Sequence, residues 1–438
     1  MRAMQRLSFR HILTPDGMLH DRALSVAADG RITAIEPSTD RADGFLALPG
    51  IPNAHSHAFQ RALAGHGEVP RGADSFWSWR DAMYRLAARV TAEDCATIAR
   101  HAYGEMLGAG FTSVAEFHYL HHGVDGSRGT EMAEAIVEAA SATGIRLTLL
   151  PVFYAAGGFG LPPRDEQARF IHASVDDYLG LVERLRGKVA LGIAPHSLRA
   201  APVELLPDLV RNARALLGAE LPIHIHVAEQ QAEVEQCRAR HGCGPVELLD
   251  REVGLDRNWH LVHATHADAG ERARIVGRGA NVVLCPITEA YLGDGLFPAD
   301  EHRQAGGMLA IGSDSNCRID AFEELRWLEY GQRLRGQARA RMADRHGLGQ
   351  PLWLGAVTAG ARALGQPVAG LAVGQHADLV VIDEHAPALA GHGIGTALDA
   401  LVINGSPRDV ATSFVGGRRI AATAEPGAFD RCVRRLLG

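Results

Sequence analysis

Short apolar runs alternate with longer amphipathic segments along most of the chain. The segments between the runs, such as TEMAEAIVEAASATG and PVELLPDLVRNARALLG, repeat apolar residues near the 3.6-residue period of a helix and end in glycine. Eight strands alternating with helices predict an α/β fold, a (β/α)8 barrel of the TIM type. The runs typical of strands are FLALPG (45–50), FTSVAEF (111–117), IRLTLLPVF (145–153), KVALGIAPHS (188–197), LPIHIHVAE (221–229), WHLVHATH (259–266), ANVVLCP (280–286) and GMLAIGSDS (307–315).

Both ends of the chain show a different pattern. Residues 1–47 and the stretch from about 370 to 420 contain short strand-like pieces separated by Gly and Asp, among them RLSFRHILT, HADLVVID and TSFVGGRRI. Such pieces predict a small β-sandwich domain built from both termini, with the barrel inserted into it. We therefore expect residues 1–48 and 370–438 in the β-domain and residues 49–369 in the barrel.

Composition narrows the possible functions. The net charge of −7 without a basic cluster argues against a nucleic-acid partner. No apolar run approaches the roughly 18 residues of a membrane span, and the first residues lack the apolar core of a signal peptide, so we expect a cytoplasmic protein with no membrane contact. The six cysteines form no CxxC pair, which argues against a disulfide framework and against a thiolate zinc site.

Polar side chains close most of the predicted barrel strands. Catalytic groups of such barrels lie at the carboxyl ends of the strands, so these positions predict one active site at the barrel mouth. The residues are His55 and His57 after the first strand, Glu116 and His118 at the second, His196 at the fourth, His224, His226 and Glu229 at the fifth, His263 and His266 at the sixth, and Asp314 at the eighth.

The HxH pair formed by His55 and His57 indicates a metal site. Residues two apart in an extended strand point to the same side, so both imidazoles can bind one ion. His226 and Asp314 could complete a set of three nitrogens and one carboxylate oxygen, which suits zinc or iron. His224 has the same orientation as His226 and is an alternative third ligand.

The order HxH, HxxE, His and then the aspartate of GSDS, followed by GLAVGQHADLVVID, resembles the amidohydrolase superfamily in its deaminase branch, over essentially the whole chain. The strings NAHSHAFQRALAG, SFWSWRDAMY, EFHYLHH and APHSLRA are similar to the members that hydrolyse N-formimino-L-glutamate to N-formyl-L-glutamate and ammonia in histidine degradation. The resemblance implies a hydrolase acting on the C–N bond of a linear amidine, and a homodimer.

The resemblance also implies a role for each matching residue. The metal ligands would be His55, His57, His226 and Asp314, with His226 favoured over His224 by the HxxE pattern. Glu229 matches the proton-shuttling acid, His263 matches the histidine beside the attacking water, and Asp314 also accepts the proton of that water. Zinc is the expected ion, although iron or manganese would fit. The only lysine of the chain, Lys188, begins the fourth strand at the wrong end for a metal bridge, so we expect one ion.

A dicarboxylate substrate needs cationic partners, because buried carboxylates without partners are costly. By the family match, Arg80 and Arg199 are the candidates for bidentate contacts, and Gln60, Tyr119 and His196 are the candidates for further polar contacts.

Two other functions are compatible with parts of this pattern. A related deaminase acting on a nucleobase, an adenosine derivative or a triazine would keep the metal ligands and Glu229 but would not need two arginines. A metal-free binding protein on the same barrel would typically have lost ligands, whereas every expected ligand is present here.

Overall fold

The computed structural model describes residues 5–66, 68, 76–421 and 424–438. In chain order, the strands are β1 (Gln5–Thr14), β2 (Gly17–Val26), β3 (Ile32–Pro37), β4 (Gly44–Pro49), β5 (Ile51–Ser56), β6 (Phe111–His118), β7 (Arg146–Phe153), β8 (Ala190–Leu191), β9 (Ala194–Pro195), β10 (Ile223–Val227), β11 (Trp259–His263), β12 (Asn281–Leu284), β13 (Met308–Ile311), β14 (Leu379–Ile382), β15 (Val410–Val415) and β16 (Arg418–Ile420). The helices are α1 (Phe76–Ala87), α2 (Ala92–Gly108), α3 (Glu131–Thr143), α4 (Val175–Leu185), α5 (Leu206–Leu217), α6 (Gln231–His241), α7 (Pro245–Glu252), α8 (Ala269–Arg278), α9 (Pro286–Leu292), α10 (Ala299–Gln304), α11 (Ala321–Gly336), α12 (Gly349–Leu364), α13 (Ile394–Asn404) and α14 (Pro426–Leu437).

Strands β5 to β13 form the predicted parallel barrel. Neighbouring strands pair in chain order, and β8 and β9 are two pieces of one broken fourth strand, both paired with β7. Parallel bridges join this broken strand to β10, and a bridge between Ser56 and Asp314 closes the barrel. The closure therefore brings the end of the first strand next to the GSDS segment after β13, which confirms the α/β barrel prediction.

The strands from both termini form one continuous sheet in the order β16-β15-β14-β4-β1-β2-β3. The rings of Phe9 on β1 and Phe414 on β15 lie 6.4 Å apart, although two strands separate β1 from β15 in the sheet. This short distance shows that the sheet curls strongly. Apolar side chains on the inner face of the curl form a cluster separate from the barrel core. The curl gives this domain a sandwich-like interior. The domain limits after residues 48 and 369 stay a prediction.

One predicted strand lies in the other sheet. FLALPG was expected as the first barrel strand, but β4 belongs to the terminal sheet and the first barrel strand is β5. The chain crosses between the sheets at Gly50, where a Cβ atom would lie 2.1 Å from Oγ1 of Thr112. The apolar run is continuous across this glycine, so its periodicity could not reveal that it serves two sheets.

The helices between the strands follow the predicted amphipathic pattern. In α5 the buried residues are Leu206, Leu209, Val210 and Ala213, the spacing of one helix face. Helix α3 ends at Gly144 with a φ of +82°, which an L residue adopts only with strain. In the part of the chain that the structure describes, no helix is both long and apolar enough to cross a membrane.

Candidate active site

Three histidines and one aspartate converge at the carboxyl end of the barrel. Nε2 of His55 lies 3.1 Å from Nε2 of His57 and 3.1 Å from Nε2 of His226. Oδ1 of Asp314 lies 3.4 Å from Nε2 of His55 and 3.3 Å from Nε2 of His57. All four side chains are buried. One atom from each therefore faces a common point.

These distances fit a divalent cation. Atoms bonded at about 2.0–2.1 Å to one zinc ion and separated by roughly tetrahedral angles lie about 3.3 Å from one another, close to the separations found here. Four polar atoms directed at one another without a cation would be unfavourable in a buried site. The group formed by His55, His57, His226 and Asp314 could therefore hold one divalent metal ion.

Hydrogen bonds on the far side of two imidazoles support this function. Nδ1 of His57 donates to the carbonyl of Phe117 at 2.9 Å, and Nδ1 of His226 donates to the carbonyl of His196 at 2.9 Å. Each bond leaves the Nε2 lone pair directed at the common point, as a metal ligand requires. Burial lowers the pKa of both histidines, which favours the neutral imidazole, the form that binds metals.

The sequence raised two further questions about the metal site: whether His224 is a ligand, and whether Lys188 could bridge two ions. His224 lies lower in the barrel, where its Nε2 donates to the carbonyl of Ala363 on α12 at 2.8 Å, and it is not part of the four-residue group. Lys188 pairs with Glu134 at 2.8 Å, and about half of each side chain is exposed. Neither residue is positioned to bind or bridge a metal at the barrel mouth.

Glu229 and His263 adjoin the four-residue group. Nε2 of His263 lies 3.9 Å from Oδ2 of Asp314. Burial raises the pKa of Glu229, as we expect for a group that must carry a proton. Burial alone would lower the pKa of His263, but its hydrogen bond to Glu289 and the charges of Glu229 and Asp314 raise that pKa to about 10.

The orientation of His263 depends on Glu289, a buried residue that the sequence patterns did not reveal. Nδ1 of His263 donates to Oε1 of Glu289 at 3.2 Å, and the same oxygen accepts the backbone N–H of Cys285 at 3.0 Å. The carboxylate therefore fixes which imidazole nitrogen faces Asp314. Glu289 lies on α9, and nothing in the local sequence distinguishes it from an ordinary helix residue.

Replacing Glu289 by Gln should lower kcat about 10- to 100-fold with little change in KM, because the amide weakens the constraint on His263 without touching the substrate. Steady-state kinetics with measured metal content would check this. The matched control is E235Q on α6, whose side chain is exposed. An E289Q protein with full metal content and wild-type kcat would show that His263 needs no such partner.

One cavity contains nearly all the predicted site residues. Three of the four candidate metal ligands line it, namely His57, His226 and Asp314, together with Glu229 and His263. His55 does not line it. The lining also includes the five candidate substrate contacts Gln60, Arg80, Tyr119, His196 and Arg199. Nε2 of Gln60 donates to the hydroxyl of Tyr119 at 2.6 Å, so these two polar groups are held together on the cavity wall.

The arginines occupy different parts of this cavity. Arg80 lies with Cζ 5.6 Å from the ring centre of Tyr84, and Arg164 lies 5.2 Å from the same ring. Arg199 contacts Glu229, with an Nη2 to Oε2 distance of 3.3 Å. Arg164 follows β7 in a segment without a recognisable motif, so the sequence did not identify it as a cavity residue. Three guanidinium groups around one cavity give an otherwise acidic protein a local site for anions.

Some strand-end residues do not line this cavity. They are Glu116, His118, His224 and His266. Glu116 instead accepts the backbone N–H of Ala58 at 2.6 Å and thereby holds the segment that follows His57. Burial raises the pKa of Glu116 to about 7. Glu116, His118 and His224 are buried in the barrel, whereas His266 is half-buried beyond the end of β11.

Backbone strain is concentrated at the site. Ala228, His263, Ala264 and Asp314 have φ values of +51°, +66°, +50° and +45°. Such conformations cost on the order of 1–3 kcal/mol for non-glycine residues and persist where packing enforces them. Each lies at or just beyond the end of a barrel strand, and two of them, His263 and Asp314, have side chains that line the cavity.

The barrel, the terminal sheet and a buried group that could hold one divalent metal ion are together typical of metal-dependent hydrolases. The amidohydrolase family model matches residues 46–420, and the chain belongs to the amidohydrolase family. A formimidoylglutamate deiminase from Pseudomonas aeruginosa is 44% identical over 450 residues, which cover 99% of this chain and 98% of that protein. A 5-methylthioadenosine/S-adenosylhomocysteine deaminase from Natronomonas pharaonis is 30% identical over 96% of this chain and 93% of that protein.

Solved structures agree with this assignment. An amidohydrolase from Brucella melitensis superimposes with a TM-score of 0.91 at 40% identity, over 99% of this chain and 100% of that one. An adenosine deaminase from Xanthomonas campestris with bound zinc superimposes with a TM-score of 0.79 at 23% identity, over 98% and 97% of the two chains, and supports the fold. The family resemblance predicted from the motifs is confirmed.

Proposed function

We propose that this chain hydrolyses N-formimino-L-glutamate to N-formyl-L-glutamate and ammonia, in histidine degradation. The observation that carries the proposal is the shared cavity, in which a group that could hold a metal ion and a glutamate whose pKa is raised by burial lie beside arginines suited to a dicarboxylate. The deiminase named above, similar over nearly the whole chain, supports the same reaction.

The residues that would hold the metal are His55, His57, His226 and Asp314, and zinc is the ion we propose. A divalent ion bound there lowers the pKa of water from 15.7 toward about 7 and so supplies a nucleophile at neutral pH. Imidazole nitrogens and a carboxylate oxygen are donors that commonly bind zinc in catalytic sites.

The side chains around this group divide the proton transfers. Asp314 accepts the proton of the attacking water, and His263 hydrogen-bonds the developing tetrahedral centre. Glu229 protonates the formimino nitrogen as the tetrahedral centre forms, and Asp314 returns the water's proton to the same nitrogen when the C–N bond breaks, because ammonia leaves far more readily than an amide anion. Glu229 then recovers a proton from the remaining hydroxyl group, which becomes the carbonyl oxygen of the product. The raised pKa of Glu229 favours the protonated form that its first step needs.

The arginines give the reaction its substrate class. We propose that Arg80 and Arg199 pair with the two carboxylates of the substrate, and that Gln60, Tyr119 and His196 make further polar contacts. We also propose a cytoplasmic homodimer with the domain limits given above; these points rest on the sequence alone.

Ammonia release is the direct test. Purified protein should release ammonia from N-formimino-L-glutamate, and removal of metal by a chelator should lower the rate at least about 10³-fold, because the chain's own residues cannot generate hydroxide at neutral pH. Adding back Zn²⁺ should restore the rate. Release that survives verified metal removal would contradict a metal-dependent mechanism.

Guanine, cytosine and S-adenosylhomocysteine are the substrate controls. The Natronomonas pharaonis relative makes an adenosine-type substrate the main alternative. Ammonia released from one of these compounds but not from N-formimino-L-glutamate would keep the metal site and reject the proposed substrate.

A further inference from the structure

Arg199 lies between two buried carboxylates. Its Nη2 is 3.3 Å from Oε2 of Glu229, and its Nε is 3.8 Å from Oε2 of Glu233. The side chain of Glu233 has no exposed surface. The guanidinium group therefore bridges the proposed proton shuttle and a second glutamate four residues further along the chain.

Glu233 also holds the backbone of Glu229. The oxygen that faces Arg199 accepts the N–H of Glu229 at 3.2 Å. One carboxylate oxygen thus contacts both the proposed substrate-binding arginine and the residue that donates the proton. Glu233 does not line the cavity, so it acts through these two neighbours.

Electrostatics makes the three residues interdependent. Two carboxylates in a desolvated site repel each other, and a guanidinium between them offsets both the repulsion and the loss of hydration. Burial raises the pKa of Glu233, while the charge of Arg199 lowers it. Removing the charge of Glu233 would leave Arg199 with a single carboxylate partner in this group and would change where its guanidinium lies.

We propose that Glu233 is a positioning residue whose buried charge attracts the Nε side of Arg199, so that the Nη2 edge of Arg199 can exchange Glu229 for a carboxylate of the substrate. The inference rests on the proposed function. An arriving carboxylate competes with Glu229 for the guanidinium, and its binding releases Glu229 to act on the departing nitrogen. A small amidine without a carboxylate leaves Arg199 on Glu229.

This arrangement couples substrate recognition to proton transfer. The substrate carboxylate should therefore increase kcat as well as lower KM. A residue that merely stabilised the fold would change the amount of active protein but not the balance between kcat and KM.

The test compares E233Q with the control E235Q, since Glu235 lies two residues away on α6 with an exposed side chain. Kinetics would be measured with N-formimino-L-glutamate and with N-ethylformamidine, which has no carboxylate. For E233Q we expect about tenfold lower kcat and about fivefold higher KM with the dicarboxylate, but a KM within about twofold of wild type with the formamidine. E235Q should match wild type with both substrates.

Thermal unfolding and metal content establish that E233Q is folded and loaded. If it is not, E233D keeps the charge but withdraws it by one methylene, and the same KM increase should appear on a smaller scale. If the wild type is active but folded E233Q, or folded E233D in its place, has an unchanged KM for the dicarboxylate, the inference about Glu233 is wrong. The proposed function would still stand. A metal-loaded wild type that releases no ammonia from N-formimino-L-glutamate would overturn the proposed function and this inference with it.

Discussion

Replacing Asp314 by Asn should lower kcat for N-formimino-L-glutamate by about 10³- to 10⁴-fold. The amide cannot accept the proton of the attacking water, and general base catalysis contributes about 10²- to 10⁴-fold by itself. The loss of negative charge 3.3–3.4 Å from two imidazole nitrogens also weakens the attraction for a divalent ion. Initial rates of ammonia release, together with metal analysis of the same sample, would measure both effects.

The control for this variant is D16N, because Asp16 is exposed in the turn between β1 and β2, remote from the cavity. D16N should keep wild-type kinetics and metal content. If D314N retained more than about a tenth of the wild-type kcat with full metal content, Asp314 would not be the base.

Replacing Arg80 by Met should reduce kcat/KM for N-formimino-L-glutamate by about 10³-fold or more. In R80M a carboxylate of the bound substrate would be buried without its arginine partner, and burying an unpaired charge is costly. Met replaces the apolar stem of the side chain but removes the guanidinium group that lies 5.6 Å from the ring centre of Tyr84, so activity with a substrate that lacks a carboxylate is needed to separate the two effects. Activity with N-ethylformamidine should fall far less, since this compound has no carboxylate to lose.

Arg85 provides the matched control, because it lies on the same helix α1 with an exposed side chain. R85M should behave as wild type with both substrates. Equal losses for R80M on the dicarboxylate and on the formamidine would indicate that Arg80 supports the fold of the cavity rather than the substrate carboxylate.

The metal group could be predicted from the sequence because its members are fixed by strand geometry. HxH places His55 and His57 on one side of an extended segment, and the parallel barrel brings every strand end to the same mouth. Periodicity also located the helices that pack around the barrel. The HxxE pattern also favoured His226 over His224 as the third ligand, and the four-residue group contains His226, whereas His224 donates to Ala363 lower in the barrel.

The supporting residues could not be predicted from the sequence. Glu289 contacts His263, and Glu233 contacts Arg199, which lies in a different segment of the chain. Packing sets how these segments face each other, so the sequence pattern does not show the contacts. Arg164 lies in an irregular segment, where no periodicity relates sequence position to direction. The sequence also did not show that one apolar run is divided between β4 and β5. Both strands are largely buried, so the run is apolar throughout, and the close contact at Gly50 is seen only in the structure.

The terminal sheet has a consequence for synthesis on the ribosome. Most barrel strands pair with the strand that precedes them, so they can associate as they emerge. Strand β4 pairs with β1 on one edge, but its other edge pairs with β14, which is translated only after the whole barrel. Until then the nascent chain presents an apolar strand edge open to other chains. Premature termination before Leu379 would make that exposure permanent, so truncated products should aggregate rather than accumulate as isolated barrels.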